Sequence, residues 1–395
     1  MTEVPLGEVA EFIRGVTFKP KHLLPLGSSG AVPCMRTKNV QETLDTTDVW
    51  AVPESVIKRP DQCLREGDTL ISSANSWNLV GKCCLVSELP ERTTLGGFVT
   101  VLRADESSVD SAYLYRWFSS PRIQRTVRSF GRRTTSISNL DLKRCKRLPM
   151  VLPTLIEQRR IAQVLDAADA LRAKRRQAVR AASALADSLF RERFGAVREN
   201  SRRLPVAKLS DLCRRITDGT HQSPDWAASG HPFLFVKNII SGEIEFETEK
   251  LISDETQGEL TRRCPIEVGD VLYSTVGSYG VPAIVRTRRK FAFQRHIAHL
   301  KPDPAIVHPE YLRAALASSD VRAQADRVAR GVAQKTLNLG EIERFSLLAP
   351  SLADQRAFAQ DAEAAERVKA TQAAHLAHVD ALFASLQHRA FAGEV

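Results

Sequence analysis

Two stretches of this chain keep an apolar residue at every third or fourth position for far longer than the rest. Residues 154–194 contain no Gly or Pro and are rich in Ala, Leu, Arg, Gln and Glu, all good helix formers. Pro153 and Gly195 punctuate the ends. Ile161, Leu165, Ala168, Leu171, Ala178, Ala182, Leu185 and Leu189, with Arg175 filling the gap, step by three or four, a seam of the coiled-coil kind. Adding 197 to these numbers gives Phe358, Ala362, Ala365, Val368, Gln372, His375, Val379, Leu382 and Leu386, the same seam again. The spacing predicts helices over about 155–193 and 352–390, each roughly 55 Å long.

The rest of the chain reads as mixed α and β. Short apolar runs at 69–72, 98–102, 233–236 and 281–285 are bounded by Gly, Pro, Asp and Asn, as strands are. Helical patterns fall at about 111–129 and 309–329. Glu243–Glu249 alternates acidic residues with Ile, Phe and Thr and reads as a strand with a solvated acidic face.

The chain is built twice. Pro153-Thr-Leu-Ile-Glu-Gln-Arg and Pro350-Ser-Leu-Ala-Asp-Gln-Arg open the two long stretches, and residues 153–194 match 350–391 at 14 of 42 positions without gaps. Fainter echoes precede them. Lys38-Asn39-Val40 answers Lys237-Asn238-Ile239, and Gly67-Asp68-Thr-Leu-Ile-Ser72 answers Gly269-Asp270-Val-Leu-Tyr-Ser274. The expected organisation is an α/β (α+β) protein with domains at 1–152 and 199–349. Long helices at 153–198 and 350–395 separate them and pair as an antiparallel coiled coil with a pseudo-twofold internal repeat.

Charge sharpens the picture. The net charge is +10, and residues 1–198 carry all of it, 31 basic against 21 acidic, while 199–395 balance at 25 each. A basic chain with no apolar run of membrane-spanning length and no secretory leader pattern points to a polyanionic partner, most simply nucleic acid. The bland alternative is solubility alone. Seven cysteines, an odd number, make no disulfide framework and suit a reducing cytoplasm. The long helices differ in sign, +4 for the first segment and −2 for the second, which favours their pairing.

The motifs of catalysis are missing. No Pro-Pro pair occurs, so the Asn-Pro-Pro-aromatic loop of amino-methyltransferases is absent; no Gly-rich fingerprint opens a βαβ unit, and Gly81-Lys82 is followed by Cys83 rather than Ser or Thr. No Cys-x-x-Cys exists. His296-x-x-His299 lies in an apolar strand-like run without nearby acid and is not expected to hold metal.

With its repeated PxLxxQR helix starts behind two unlike domains, the chain resembles the specificity subunit of type I restriction–modification systems, over essentially its whole length. Asp218-Gly-Thr-His221 and the Gly269–Ser274 stretch also look like that family's target recognition domains. The resemblance implies a subunit without catalysis of its own. Each recognition domain reads one half of a bipartite site in double-stranded DNA. The paired helices space the domains and dock two methyltransferase subunits, and two restriction subunits can join. S-adenosylmethionine, and ATP with Mg for restriction, belong to those partners; this chain needs no cofactor. The expected location is the cytoplasm, on the nucleoid. The opposing readings are a duplicated coiled-coil adaptor without DNA specificity and a fused enzyme, which would need the absent motifs.

Sequence readers combine phosphate clamps with side chains that reach base edges. In the first half the candidates are Lys38, Asn39, the loop with Asn75, Ser76 and Trp77, and Arg132, Arg133, Thr134, Thr135 and Ser136. In the second they are His221, Lys237, Asn238, Thr275, Ser278, Tyr279, Gln334, Lys335 and Thr336. Arg can fork onto guanine and Gln onto adenine. For the two Asn residues the competing role, fixing a turn, is the stronger reading. The helix seam is carried by Ile161, Leu165, Leu171, Leu185 and Leu189 against Phe358, Val368, Val379, Leu382 and Leu386.

Overall fold

A computed structural model describes residues 2–89, 91–133, 137–331 and 334–392. Both long stretches are helical, Leu155–Phe194 and Leu352–Ala392. The chain divides into two compact units, one of residues 1–174 with 375–395, the other of 175–374.

The first unit is organised by a four-stranded antiparallel sheet in the order Ala10–Arg14, Val99–Ala104, Thr69–Ser72 and Cys83–Leu85. Alternation explains why Thr69–Ser72 is buried throughout. Ile71 and Leu102 face a core with Tyr113, Leu114 and Trp117, while Leu70 and Val101 face another with Met35, Val86 and Leu95. A smaller sheet pairs Ala31–Met35 antiparallel with Trp50–Pro53 and parallel with Thr94–Leu95. The expected helix over 111–129 is two, Ser111–Phe118 and Pro121–Ser129, because Pro121 has no N–H to continue the first.

The second unit repeats the strand order with Cys213–Asp218, Ile297–Pro302, Val271–Ser274 and Pro282–Ile284. Its small sheet joins His231–Leu234 antiparallel to Leu251–Ile252 and parallel to Ala292–Phe293. The helix expected at 309–329 again breaks, into Pro309–Ala317 and Ser319–Val328. Ser318 turns extended between them, and its hydroxyl accepts from the Val321 N–H. The acidic run 243–249 is not a strand. Ile244 and Phe246 pack on the core as the alternation requires, but the backbone is tied to Asn238 instead of to a neighbouring strand.

The repeated PxLxxQR start has a physical meaning. Gln158 is fully buried: its carbonyl accepts from the Asp110 N–H at 2.8 Å, and its amide donates to Ser108 O at 3.1 Å and Pro153 O at 2.9 Å. Gln355 does the same with His308 N–H, Ile306 O and Pro350 O, at 2.8, 3.1 and 2.9 Å. Each Gln welds the start of a long helix to the turn before a short one. The phenols of Tyr113 and Tyr311 add a second weld, donating to Val151 O and Leu348 O.

The helix seam needs correction. Ile161, Leu165 and Phe358 are buried, but Leu171, Leu185, Val368 and Leu382 are exposed. Burial falls one position later, at Arg172, Ala186, Lys369 and Phe383, each at least half-buried, and Leu189 and Leu386 give the centre of the seam to Phe190 and Gln387. A helix of 3.6 residues per turn drifts about 20° per heptad against a strict 3.5 repeat, so a strict line leaves the buried face. Aromatic bulk sets where it lands. In the second unit Phe190, Phe194, Tyr311 and Phe358 interlock with ring centres 5.0–6.4 Å apart. In the first unit the Arg172 guanidinium lies 4.3 Å over the Phe383 ring and binds Asp380 at 2.6 Å.

Candidate nucleic-acid interface

In the first unit, the strand order brings two sequence-distant loops together. Ala74–Asn75 pairs with Ser138–Leu140, which pairs back with Gly131–Arg133 as a hairpin. The Trp77 ring edge stands near Gly131, where an added Cβ would meet Val80 at 3.1 Å, the Arg128 carbonyl at 3.2 Å and the indole at 3.3 Å, so that these neighbours would have to give by a few tenths of an ångström. Arg132 extends into solvent, 79% exposed, with its guanidinium 2.5 Å from the Asp141 carboxylate. The Arg133 backbone pairs with Ser138. The Arg133 side chain and Thr134, Thr135 and Ser136 lie outside the described residues. Asn75 is half-buried and bridges Ser72 Oγ and the Ser76 N–H, while Ser76 is exposed and donates to Asn78.

Sequence reasoning missed a neighbour of this edge. The Phe98 carbonyl accepts from the Ser73 and Ala74 N–H groups at 3.0 and 3.2 Å, and its side chain is 61% exposed. Phe98 and Trp77 are both exposed, and an exposed aromatic ring offers a stacking face rather than a core contact. The signal was the Gly96-Gly97-Phe98 corner, which holds a large apolar residue where a turn calls for a polar one.

The second unit places the corresponding loops together with sparser pairing. Val276 bridges Thr336, Thr336 exchanges two backbone bonds with Arg330 at 2.8 and 3.0 Å, and the Gly277 N–H donates to Lys335 O at 3.0 Å. Gln334 and Lys335 are exposed, and Gly277, at φ +69°, sits under the Gln334 amide. Ser278 is exposed as well. Two expected contacts fail. Thr275 is buried, and so is Tyr279, whose phenol donates to Asp326 at 2.6 Å while Arg322 covers its ring. This aromatic packs instead of reading.

His221 is exposed and bonds Asp218 at 2.9 Å. Its loop is tied to the next corner, because the Arg295 N–H donates to Thr220 O and the Thr275 N–H to His296 O, both at 3.0 Å. Arg295 itself is exposed and donates to the His296 ring. Burial, with Arg295 and His221 nearby, holds His296 below the ordinary imidazole value. Arg295 was missed by sequence reasoning; on the repeated frame His296 takes the place of Phe98, and Arg295 stands one residue before it where the first unit has Gly97.

Asn39 and Asn238 do not face outward. Both are buried; their carbonyls accept from Arg36 and Phe235 N–H groups, and their amides hold Asp45, Asp48 and Glu247 carbonyls. They are turn locks, buried with carbonyl and amide both engaged inside the turn rather than turned toward a base. Lys38 beside the first is exposed and paired with Asp48, and Lys237 beside the second is exposed.

The expectation that no acid approaches the His pair fails for His299. It is buried with Nε2 2.7 Å from Asp270 and Nδ1 3.4 Å from the Cys264 thiol. Among the described residues, no group of three His, Cys, Asp or Glu side chains is placed to hold a metal ion.

The frame and its paired loops have clear relatives. Residues 1–181 match the type I restriction modification DNA specificity domain. Over 99% of its length the chain is 24% identical to the EcoKI type I restriction enzyme specificity subunit of Escherichia coli K12, covering 88% of that protein. By these matches the chain resembles type I specificity subunits along its length. The StySPI specificity subunit of Salmonella potsdam is 28% identical over 163 residues, 41% of this chain and 35% of that one. In fold, the chain is similar to the type I S subunit from M. genitalium, with a TM-score of 0.57 at 14% identity over 99% of this chain and 96% of that one. It is also similar to a chain from a structure of type I restriction–modification assembly and conformational transition, with a TM-score of 0.61 at 17% identity over 100% and 98% of the two chains. Among the described residues, no helix is long and apolar enough to cross a membrane.

Proposed function

We propose that this chain is the DNA-reading subunit of a type I restriction–modification complex, that residues 1–152 and 199–349 each read one half of a bipartite site, and that it has no catalysis of its own. The observation that carries this is the loop pair. At one place on two copies of one strand order, the side chains offered to solvent differ: Arg132, Trp77 and Phe98 in one copy, Gln334, Lys335, Arg295 and His221 in the other. An adaptor has no need to keep the frame and vary its rim, whereas a reader of two unlike half-sites does. Arg132 and Gln334 are the base-edge candidates, Lys38, Lys237 and Lys335 the phosphate holders.

The long helices form an antiparallel coiled coil with a pseudo-twofold relation between the domains, suited to the opposed strands of a duplex. The side-chain contacts between the helices support this. Arg175 bonds Gln372 while Arg193 bonds Asp361, so numbers fall along one helix as they rise along the other. The same helices dock two methyltransferase subunits, which supply S-adenosylmethionine, and two restriction subunits, where present, bring ATP and Mg. The complex works in the cytoplasm, on the nucleoid. Methylation mapping of the host genome with and without this chain tests the reading. Loss of adenine methylation at one bipartite motif is expected, and an unchanged map refutes it.

A further inference from the structure

In the second unit Cys264, His299 and Asp270 stand in line. Cys264 Sγ is 3.4 Å from His299 Nδ1, and His299 Nε2 is 2.7 Å from Asp270 Oδ2. Asp270 is fixed in turn by Lys301 at 2.9 Å and by the Glu267 N–H at 2.8 Å. The imidazole is locked, buried between a carboxylate and a thiol. The thiol is half-buried, and with His299 it lines a cavity of about 360 Å³. That volume is in the range of small-molecule sites.

Among the described residues, the other half of the molecule has no such line. At the same strand positions Asp68 binds Arg103, and Val101 stands where His299 does, paired opposite Leu70 as His299 is opposite Leu272. The frame is complete without the imidazole, so the line is an addition. None of the DNA-reading contacts uses it.

Burial pushes the thiols of Cys34, Cys84, Cys145 and Cys213 up to about 12, and raises Cys83 as well. Cys264 goes the other way. Burial opposes its ionisation, but the hydrogen bond and charge of His299, with Lys301 and Arg215, hold the thiol below its ordinary value. For His299, burial favours the neutral ring, but Asp270 and Cys264 raise it. Asp218, Glu259 and Arg263 also line the cavity, and Glu267 is neutralised by Lys301.

We propose that Cys264 is an activated thiol that accepts a low-molecular-mass disulfide in this cavity and forms a mixed disulfide with it. The Cys264 sulfur, its proton held on His299, attacks one sulfur of the small disulfide. The new S–S bond forms as the old one breaks, and the departing thiolate takes the proton from the imidazolium. Cys264 is oxidised to the disulfide level, and one thiol of the small molecule is released reduced.

The test uses the full chain and dithiobis(nitrobenzoate), with the released thiolate followed by absorbance and the adduct placed by peptide mass spectrometry. One thiol should react about tenfold or more faster than the others near neutral pH, and the first adduct should lie on Cys264. Cys264→Ala should abolish the fast phase. His299→Gln should slow it about tenfold and move its pH midpoint upward. A fast phase that survives Cys264→Ala overturns the proposal, as does first labelling at Cys63, another half-buried thiol. In the unsubstituted chain alone, labelling of Cys264 with a midpoint at or above an ordinary thiol overturns it too.

Discussion

The two loop pairs stand on the same strand order and present opposite chemistry. In the first unit a continuous three-stranded sheet stiffens the rim, and the exposed groups beside it are Trp77 and Phe98. In the second, among the described residues, isolated bridges and single backbone hydrogen bonds join the loops, the aromatic Tyr279 is turned inward, and the corner carries Arg295 and His296 beside His221. The net charge is misleading here, since the excess positive charge lies in the first half while the second half has the more cationic corner. Whole-chain charge speaks to attraction toward a polyanion; the rim speaks to what is read once contact is made.

The largest expected effect tests whether these rims act independently. Replacing residues 203–349 with the matching domain of a relative should change one half of the methylated motif completely and leave the other intact. Each unmatched base pair costs about 1–3 kcal/mol, so the old half-site should lose all detectable methylation. A map in which both halves change breaks the comparison.

The frame beneath is expected to be equivalent in the two units. Gln158→Ala and Gln355→Ala each remove a buried amide and strand three backbone groups, at a cost of about 2–3 kcal/mol. Urea unfolding with hydrogen exchange resolved by unit should show similar losses, each confined to the unit that carries the change. A difference beyond about 1 kcal/mol would mean that the weld matters to one unit only.

At the rims the effects are smaller and differ in kind. Arg132→Ala should cost about 1–3 kcal/mol of DNA affinity and relax one base position, as loss of a forked guanine contact does. Lys335→Ala should weaken all sequences alike and reduce the salt slope by about one, as loss of a phosphate contact does. Fluorescence anisotropy of the assembled complex over a salt series separates them, and a uniform loss for Arg132→Ala moves that residue to the phosphate class.

The smallest effect concerns the carboxylates under each sheet. Burial works against the Asp270 charge, but hydrogen bonds from His299 and Lys301 hold its carboxyl below the ordinary range. A carboxyl lowered on folding contributes stability above the ordinary carboxylate value and loses it as pH falls through the lowered one. Asp270→Asn should therefore flatten the acid limb of unfolding between about pH 5 and pH 3, measured by urea midpoints. An acid limb as steep as before would show that the charge contributes nothing there.

What the sequence made legible was periodic or repeated. The long helices end within two residues of their expected bounds, and Thr69–Ser72 is a strand as read. The Asn39 and Asn238 turns were legible because their amides act locally. What was not legible depends on contacts far apart in sequence. Tyr279 looks like a rim residue until Asp326, 47 positions away, takes its phenol. His299 looks acid-free until a strand 29 positions earlier delivers Asp270. The seam went astray because Leu171 and Val368 outrank Arg172 and Lys369 in hydropathy, although a long cationic stem can be half-buried with its head paired.

The polar stretch of that seam bears on errors of alignment. A row made only of leucine and alanine tolerates sliding by a heptad, since one apolar step is much like the next. Arg172 on Phe383 and Asp380, and Arg175 on Gln372, are not interchangeable with their neighbours. A slide of seven residues would carry both guanidiniums off their partners and leave half-buried charge uncompensated. The stretch adds little adhesive strength and acts as an index mark. It lets a nascent chain settle into one alignment among several of comparable greasiness, and disfavours two copies that meet by their helices in a shifted one.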